Sequence, residues 1–196
     1  MKLSQLFIRD PRTFEEAHNA AAEVFALDLR LPEQVFRSSY TWFAFDEFLW
    51  TLSADFWSTI QELSAKSGDT SLTMAVLDPD PRRHSIKELG HYNWADMSVQ
   101  ISNDDYWDLL NEHPLDNSAD CLLFNSETVA WFPRSAEWAI WGERVYGICV
   151  LGCRKSTTVN EWRDLTWALA DGLPNNFGDL RLLRDFQNNL KKNYES

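Results

Sequence analysis

Between Cys121 and Leu151 the chain holds four apolar, β-rich runs: Cys121–Phe124, Thr128–Phe132, Trp138–Trp141 and Val145–Leu151. They are divided by Asn125-Ser126-Glu127, by Pro133-Arg134-Ser135 and by Gly142-Glu143-Arg144. Connections this short force antiparallel neighbours, because a parallel pair needs a crossover of a dozen or more residues. The stretch therefore reads as a β-meander over 121–151. Trp138 and Trp141 point to opposite faces of one strand, as do Trp131 and Phe132 on its neighbour. Bulky rings on both faces fit a sheet covered on both sides. They also fit a sheet with one open aromatic face.

The flanking segments alternate helix and strand signals. Thr13-Phe14-Glu15-Glu16 has the capping-box pattern, and the helix it opens carries Phe14, Ala17, Ala21, Val24 and Phe25 on one face, ending near Leu29. Tyr40–Trp50 is aromatic-rich and supports no single assignment. Ser53 is placed to cap a helix carrying Phe56, Ile60 and Leu63, closed by Gly68. Leu72–Leu77 has strand length and stops at Asp78-Pro79-Asp80-Pro81, since proline cannot feed a ladder. Met97–Ile101 reads as a short strand, and Ser102 caps a helix running to about Glu112. Thr158-Val159-Asn160-Glu161 is a second capping box, for a helix ending at Gly172; it groups Trp162, Leu165 and Leu169, and sets Trp167 among charges. A last helix carries Leu182, Leu183, Phe186 and Leu190 as one stripe. The expected architecture is a single α+β domain over 1–196: an antiparallel sheet of about five or six strands covered by helices.

Charge narrows the function classes. Lys+Arg number 18 against 30 Asp+Glu, a net charge of −12. This argues against binding nucleic acid through its phosphates and against anionic membrane surfaces. The excess is local: residues 88–133 hold nine acidic residues and no basic one. On the helix after Ser102, Asp104, Asp108 and Glu112 form one ridge with Asp105 beside them, and Asp116 and Asp120 follow. Such a surface attracts a cationic protein and speeds encounter with it. It also serves as a solvated face. Trp167, set among Arg163, Asp164 and Asp171, is a candidate binding anchor.

Chemical motifs are sparse. His84 and His91 lack the tight pairing of a zinc signature, and there is no nucleophile elbow, Walker loop or Gly-x-Gly-x-x-Gly. No metal or cofactor is expected. Three cysteines are an odd, small set for a disulfide framework, and the N-terminal stretch lacks a signal-peptide pattern, so a cytoplasmic location is expected. The apolar stretch around Trp42–Phe45 is too short to span a bilayer.

The segment Trp131-Phe132-Pro133-Arg134-Ser135-Ala136-Glu137-Trp138-Ala139-Ile140-Trp141-Gly142-Glu143-Arg144, running into Ile148-Cys149-Val150-Leu151, resembles a pattern in small bacterial proteins grouped with the immunity proteins of polymorphic toxin systems. The resemblance covers about a quarter of the chain and transfers no binding residues. It implies a cytoplasmic, acidic, non-catalytic α+β protein that blocks a toxin. Three readings follow: an acidic protein-binding domain facing a basic partner; a small enzyme with a Cys/His site such as Cys121 with His113, or a carboxylate site; and a small-molecule module with an aromatic-lined cleft. Oligomeric state is open.

Overall fold

The computed structural model describes residues 3–113, 121–157 and 159–195, with Asn175 described in its main chain only. The ordered elements are α1 (Pro11–Val24), β1 (Trp42–Glu47), α2 (Phe48–Thr51), α3 (Phe56–Ser67), β2 (Ser71–Asp78), α4 (Ser85–Leu89), β3 (Trp94–Ser98), α5 (Asn103–Leu110), β4 (Thr128–Pro133), β5 (Trp138–Glu143), β6 (Ile148–Cys153), α6 (Leu165–Trp167) and α7 (Leu180–Tyr194). The six strands form one antiparallel sheet in the order β1-β6-β5-β4-β2-β3. Helices cover it, so the fold is α+β.

Every residue of β4, β5 and β6 is buried. That explains their nearly continuous apolar sequence: central strands under helices on both faces have no solvent side to alternate toward. Trp131, Trp138, Ile140, Cys149 and Leu151 face a core closed by α3 and α5, through Phe56, Trp57, Ile60, Tyr106 and Leu109. Phe132, Trp141 and Val150 face a second core closed by α1, by the 25–40 connection and by α7, through Phe14, Phe36, Phe186 and Leu190. Both faces are covered, which removes the open aromatic face.

Strand pairing overturns one expected strand. Cys121–Phe124 forms a turn, in which Asn125 N–H donates to Cys121 O and Leu123 N–H donates to Leu110 O at the end of α5. β4 already has β2 on one side and β5 on the other, so no edge is left for it. The meander is the three strands β4–β6.

Helix starts shift to the best available acceptor. α1 begins at Pro11 because the Asp10 carboxylate accepts Thr13 N–H at 2.7 Å, and it stops at Val24 because Phe25 turns out to pair with Phe36. Ser53 does not cap α3; its hydroxyl donates back to Trp50 O, and the helix starts after Asp55. β3 lies at Trp94–Ser98 rather than 97–101, paired with β2. α5 does start after Ser102, in a capping box with Asp105, and ends at Leu110. Of the second capping box, Thr158 lies outside the described residues; α6 starts after Asp164, whose carboxylate accepts Trp167 N–H, and runs into a wider turn over Ala168–Gly172. On α7 the buried stripe is Leu183, Phe186, Leu190 and Tyr194, and Leu182 is exposed.

Short segments close parts of both sheet edges. Along β3, Ile8 N–H donates to Trp94 O, and Tyr92 and Asp96 N–H donate to Ile8 O and Leu6 O. On β1, Phe45 and Arg163 exchange two main-chain bonds of 2.8 and 3.0 Å. Such cover limits edge-to-edge aggregation.

Candidate docking face and sheet-edge clefts

The acidic ridge lies where the spacing on α5 predicts. Tyr106, Leu109 and Leu110 are buried, and Asp104 and Asp108 are exposed on the other side. No described cation pairs with either. Asp105 is drawn into the cap: its carboxylate accepts the Ser102 N–H at 2.9 Å and the Ser102 hydroxyl at 2.8 Å, which lowers its pKa. Glu112 lies just past the helix end, half-buried. Asp116 and Asp120 lie outside the described residues.

Sequence reasoning missed the apolar part of this surface. Trp107 on α5 is 41% exposed, and Leu49, Phe124 and Val145 are each more than 60% exposed. Arg144 gathers three of them. Its guanidinium donates to Leu123 O at 2.7 Å and, through Nε, to Ser126 O at 2.8 Å, and it lies over the Phe48 ring at 5.1 Å. Phe124, Val145 and Leu49 are chain neighbours of Leu123, Arg144 and Phe48, so they share one neighbourhood. The Tyr106 hydroxyl donates to Thr51 O at 2.7 Å and joins α5, with Trp107, to the end of α2. The available signal was positional. Leu49 sits between two inward rings on a single helical turn, and Val145 sits in the three-residue helical turn Arg144–Tyr146.

Next to this patch, three clefts run along β1 and α2. One of about 590 Å³ is walled by Trp42, Phe43, Trp162, Leu165, Leu169 and Tyr194. A second of about 680 Å³ is lined by Asp46, Glu47, Trp50, Asp55, Ser58, Glu161 and Arg163. A third holds Glu47, Leu49 and Arg144. Arg163 lines the first two and Glu47 the last two. In the second cleft, Arg163 stands 3.9 Å from Asp46 Oδ1 and 3.7 Å from Glu47 Oε1, one guanidinium against four carboxylates. Burial raises the pKa of the Asp46 carboxyl, against the opposing pull of the Glu47 N–H bond and the Arg163 charge. Ser58 also accepts a bond from Asn103 at 3.0 Å, so the acidic cleft adjoins the start of α5.

The remaining sequence candidates separate. Trp167 is half-buried, with Arg163 over its ring at 4.2 Å and Gly172 beneath it. Trp162 packs with Trp50 on the α3 side, whereas Leu165 and Leu169 belong to the other core; the three meet only as walls of the 590 Å³ cleft. Cys121 is buried, while His113 is exposed and its ring contacts Asn111 O, so the two form no nucleophile pair. Burial raises the pKa of the Cys149 thiol well above its ordinary value and pushes Cys153 up to about 12. Neither supplies a thiolate near neutral pH. Among the described residues, no group of three or more His, Cys, Asp or Glu side chains is placed to hold a metal, and no helix is long and apolar enough to cross a membrane.

Comparison with protein-family models, with curated proteins and with solved structures finds no match.

Proposed function

We propose that this chain is a non-enzymatic protein-binding domain of immunity type, and that its β1–α2–α5 face holds a basic protein partner, a toxin in the reading the sequence resemblance suggests. One observation carries the proposal: Leu49, Phe124 and Val145 are exposed on the segments that Arg144 joins, and α5, bonded to those segments through Tyr106–Thr51 and Leu123–Leu110, exposes Trp107 with Asp104 and Asp108, which have no described ion-pair partner. Interfaces bind through a few buried aromatic and aliphatic anchors, while charge at the rim steers encounter and selects the partner. Here exposed apolar side chains on α2, on the turn after Cys121 and on α5 supply anchors of that kind, and the exposed Asp104 and Asp108 call for lysine and arginine opposite. The mainly acidic clefts along α2 extend that rim.

The test is co-expression with the product of the neighbouring gene. The reading expects that product to be toxic alone, to be neutralised by the wild-type chain, and to form a stable complex with it. Leu49→Lys, Trp107→Ala and the pair Asp104→Lys with Asp108→Lys should each fold normally and lose protection. Protection and affinity unchanged in all three would remove this face. A neighbouring gene of metabolic function, together with turnover of its substrate by this chain, would remove the immunity reading itself.

A further inference from the structure

The 680 Å³ cleft carries more negative charge than it balances. Asp46 and Glu47 of β1, Asp55 before α3 and Glu161 before α6 line it, and Arg163 is the one cation lining it among the described residues. That guanidinium does not hold them. It stands 3.9 Å from Asp46 and 3.7 Å from Glu47, beyond hydrogen-bond reach, and lies over the Trp167 ring at 4.2 Å. The Asp55 carboxylate caps no amide of α3. No hydrogen bond reaches the carboxylates of Glu47, Asp55 or Glu161 among the described residues.

Asp46 stands apart from the three exposed acids around it. It is only 4% exposed, yet it lines the cleft. Its Oδ1 accepts the Glu47 N–H at 2.7 Å, while Oδ2 accepts no hydrogen bond among the described residues. A buried carboxylate oxygen without a donor carries a desolvation cost that an incoming N–H relieves. Burial raises the Asp46 pKa, and the charges of Glu47 and Glu161 act in the same direction, so both lie within electrostatic reach of this carboxyl. The carboxylates are not placed to hold a metal ion. Trp50 adds an aromatic wall and Ser58 a hydroxyl. A guanidinium stacks on aromatic rings and forks to carboxylates, whereas an ammonium is a point charge. Arg163 already rests on an indole in this manner beside the same acids.

We infer that this cleft receives an arginine side chain of the partner protein, with its guanidinium on Asp46 among Glu47, Asp55 and Glu161 and its stem along Trp50. The inference rests on the partner reading above and names one anchoring residue for it.

The test titrates the full chain with acetyl-Gly-Gly-X-Gly-Gly-amide, X being arginine, lysine or citrulline, and follows the tryptophan indole N–H signals by NMR. The arginine peptide is expected to shift the Trp50 signal with a Kd of about 1 mM, and the citrulline peptide, of similar shape without the charge, to bind about tenfold more weakly or worse. Asp46→Asn, which keeps an acceptor for the Glu47 N–H, and the exposed Glu161→Gln should each weaken the arginine peptide about threefold or more. Arg163→Gln should tighten it, and Glu23→Gln on α1 should leave it unchanged. The inference is overturned if the arginine peptide does not bind below about 10 mM, if the lysine or citrulline peptide binds as tightly, or if both carboxylate variants bind like wild type. In the co-expression assay, protection by wild type that Asp46→Asn and Glu161→Gln both retain in full overturns the cleft and leaves the immunity reading standing. If wild type gives no protection, that reading falls and the peptide titration alone decides the cleft.

Discussion

The Trp141 indole N–H donates to the Glu143 carboxylate at 2.8 Å, two residues along one face of β5. The same oxygen accepts the Leu31 N–H at 2.8 Å. The 25–40 connection is thereby tied to the sheet through one buried acid. Burial raises the Glu143 pKa above its ordinary 4.5, while both hydrogen bonds and Arg30 oppose the shift. A raised carboxyl pKa means the folded state holds the proton more tightly than the unfolded chain. The stability from this group is fully present below about 4.5 and is lost as pH rises through the folded value. Glu143→Gln keeps an acceptor without the charge, so its stability relative to wild type should improve as pH climbs from 4.5. Glu143→Ala should cost about 1–3 kcal/mol for each buried donor left unpaired. Urea unfolding across that pH range measures both.

His91 titrates in the opposite sense. It is buried, stacks on Phe7 with ring centroids 4.3 Å apart, and accepts the Asn93 N–H through Nδ1 at 3.2 Å. Burial, helped by Arg9, lowers its pKa from 6.5 to about 4. Its stabilisation is complete above 6.5 and is lost as pH falls toward about 4. His91→Asn retains an acceptor without a titrating ring. Denaturant midpoints measured down through this window should fall more steeply for wild type than for the variant.

The capping box at α5 is open to a simple test. Ser102 Oγ accepts the Asp105 N–H at 3.0 Å, and Asp105 returns the bond. Ser102→Ala should destabilise the protein by about 1 kcal/mol. Asp108→Ala, on the exposed ridge, should stay within about 0.5 kcal/mol of wild type. Equal thermal shifts for the two would show that the cap does not hold this helix.

Gly152 lies in β6 under the Phe36 ring, where an added Cβ would stand 2.8 Å from the ring carbons. Gly152→Ala should therefore cost about 1–3 kcal/mol by overpacking. Combining it with Phe36→Leu should recover part of that loss, because the two residues share one space. Strictly additive losses in the double-mutant cycle would contradict the contact.

Much of the fold was legible because its signals are local. The β4–β6 runs, the Ser102 cap and the Gly68 stop follow from turn chemistry and periodicity over a few residues. The acidic ridge at Asp104 and Asp108 was legible for the same reason. The errors are non-local. Cys121–Phe124 has strand composition but meets a strand already paired on both sides. Ser53 and Asp10 show that the acceptor which geometry delivers, not the first polar residue before a helix, decides where the helix starts.

The amino-acid sequence alone determined the class of fold, the antiparallel meander, the two aromatic sheet faces and a base-free acidic helix. Tertiary structure decided which strands stand at the edges, and with them the clefts. Phe43, Phe45 and Glu47 share one orientation in the strand, yet Arg163 closes one, Asp46 answers the second and a cleft opens on the third. It also decided that Leu49, Phe124 and Val145 meet around Arg144. Edge status and exposure depend on partners more than a hundred residues away in some cases, and periodicity carries no information about them.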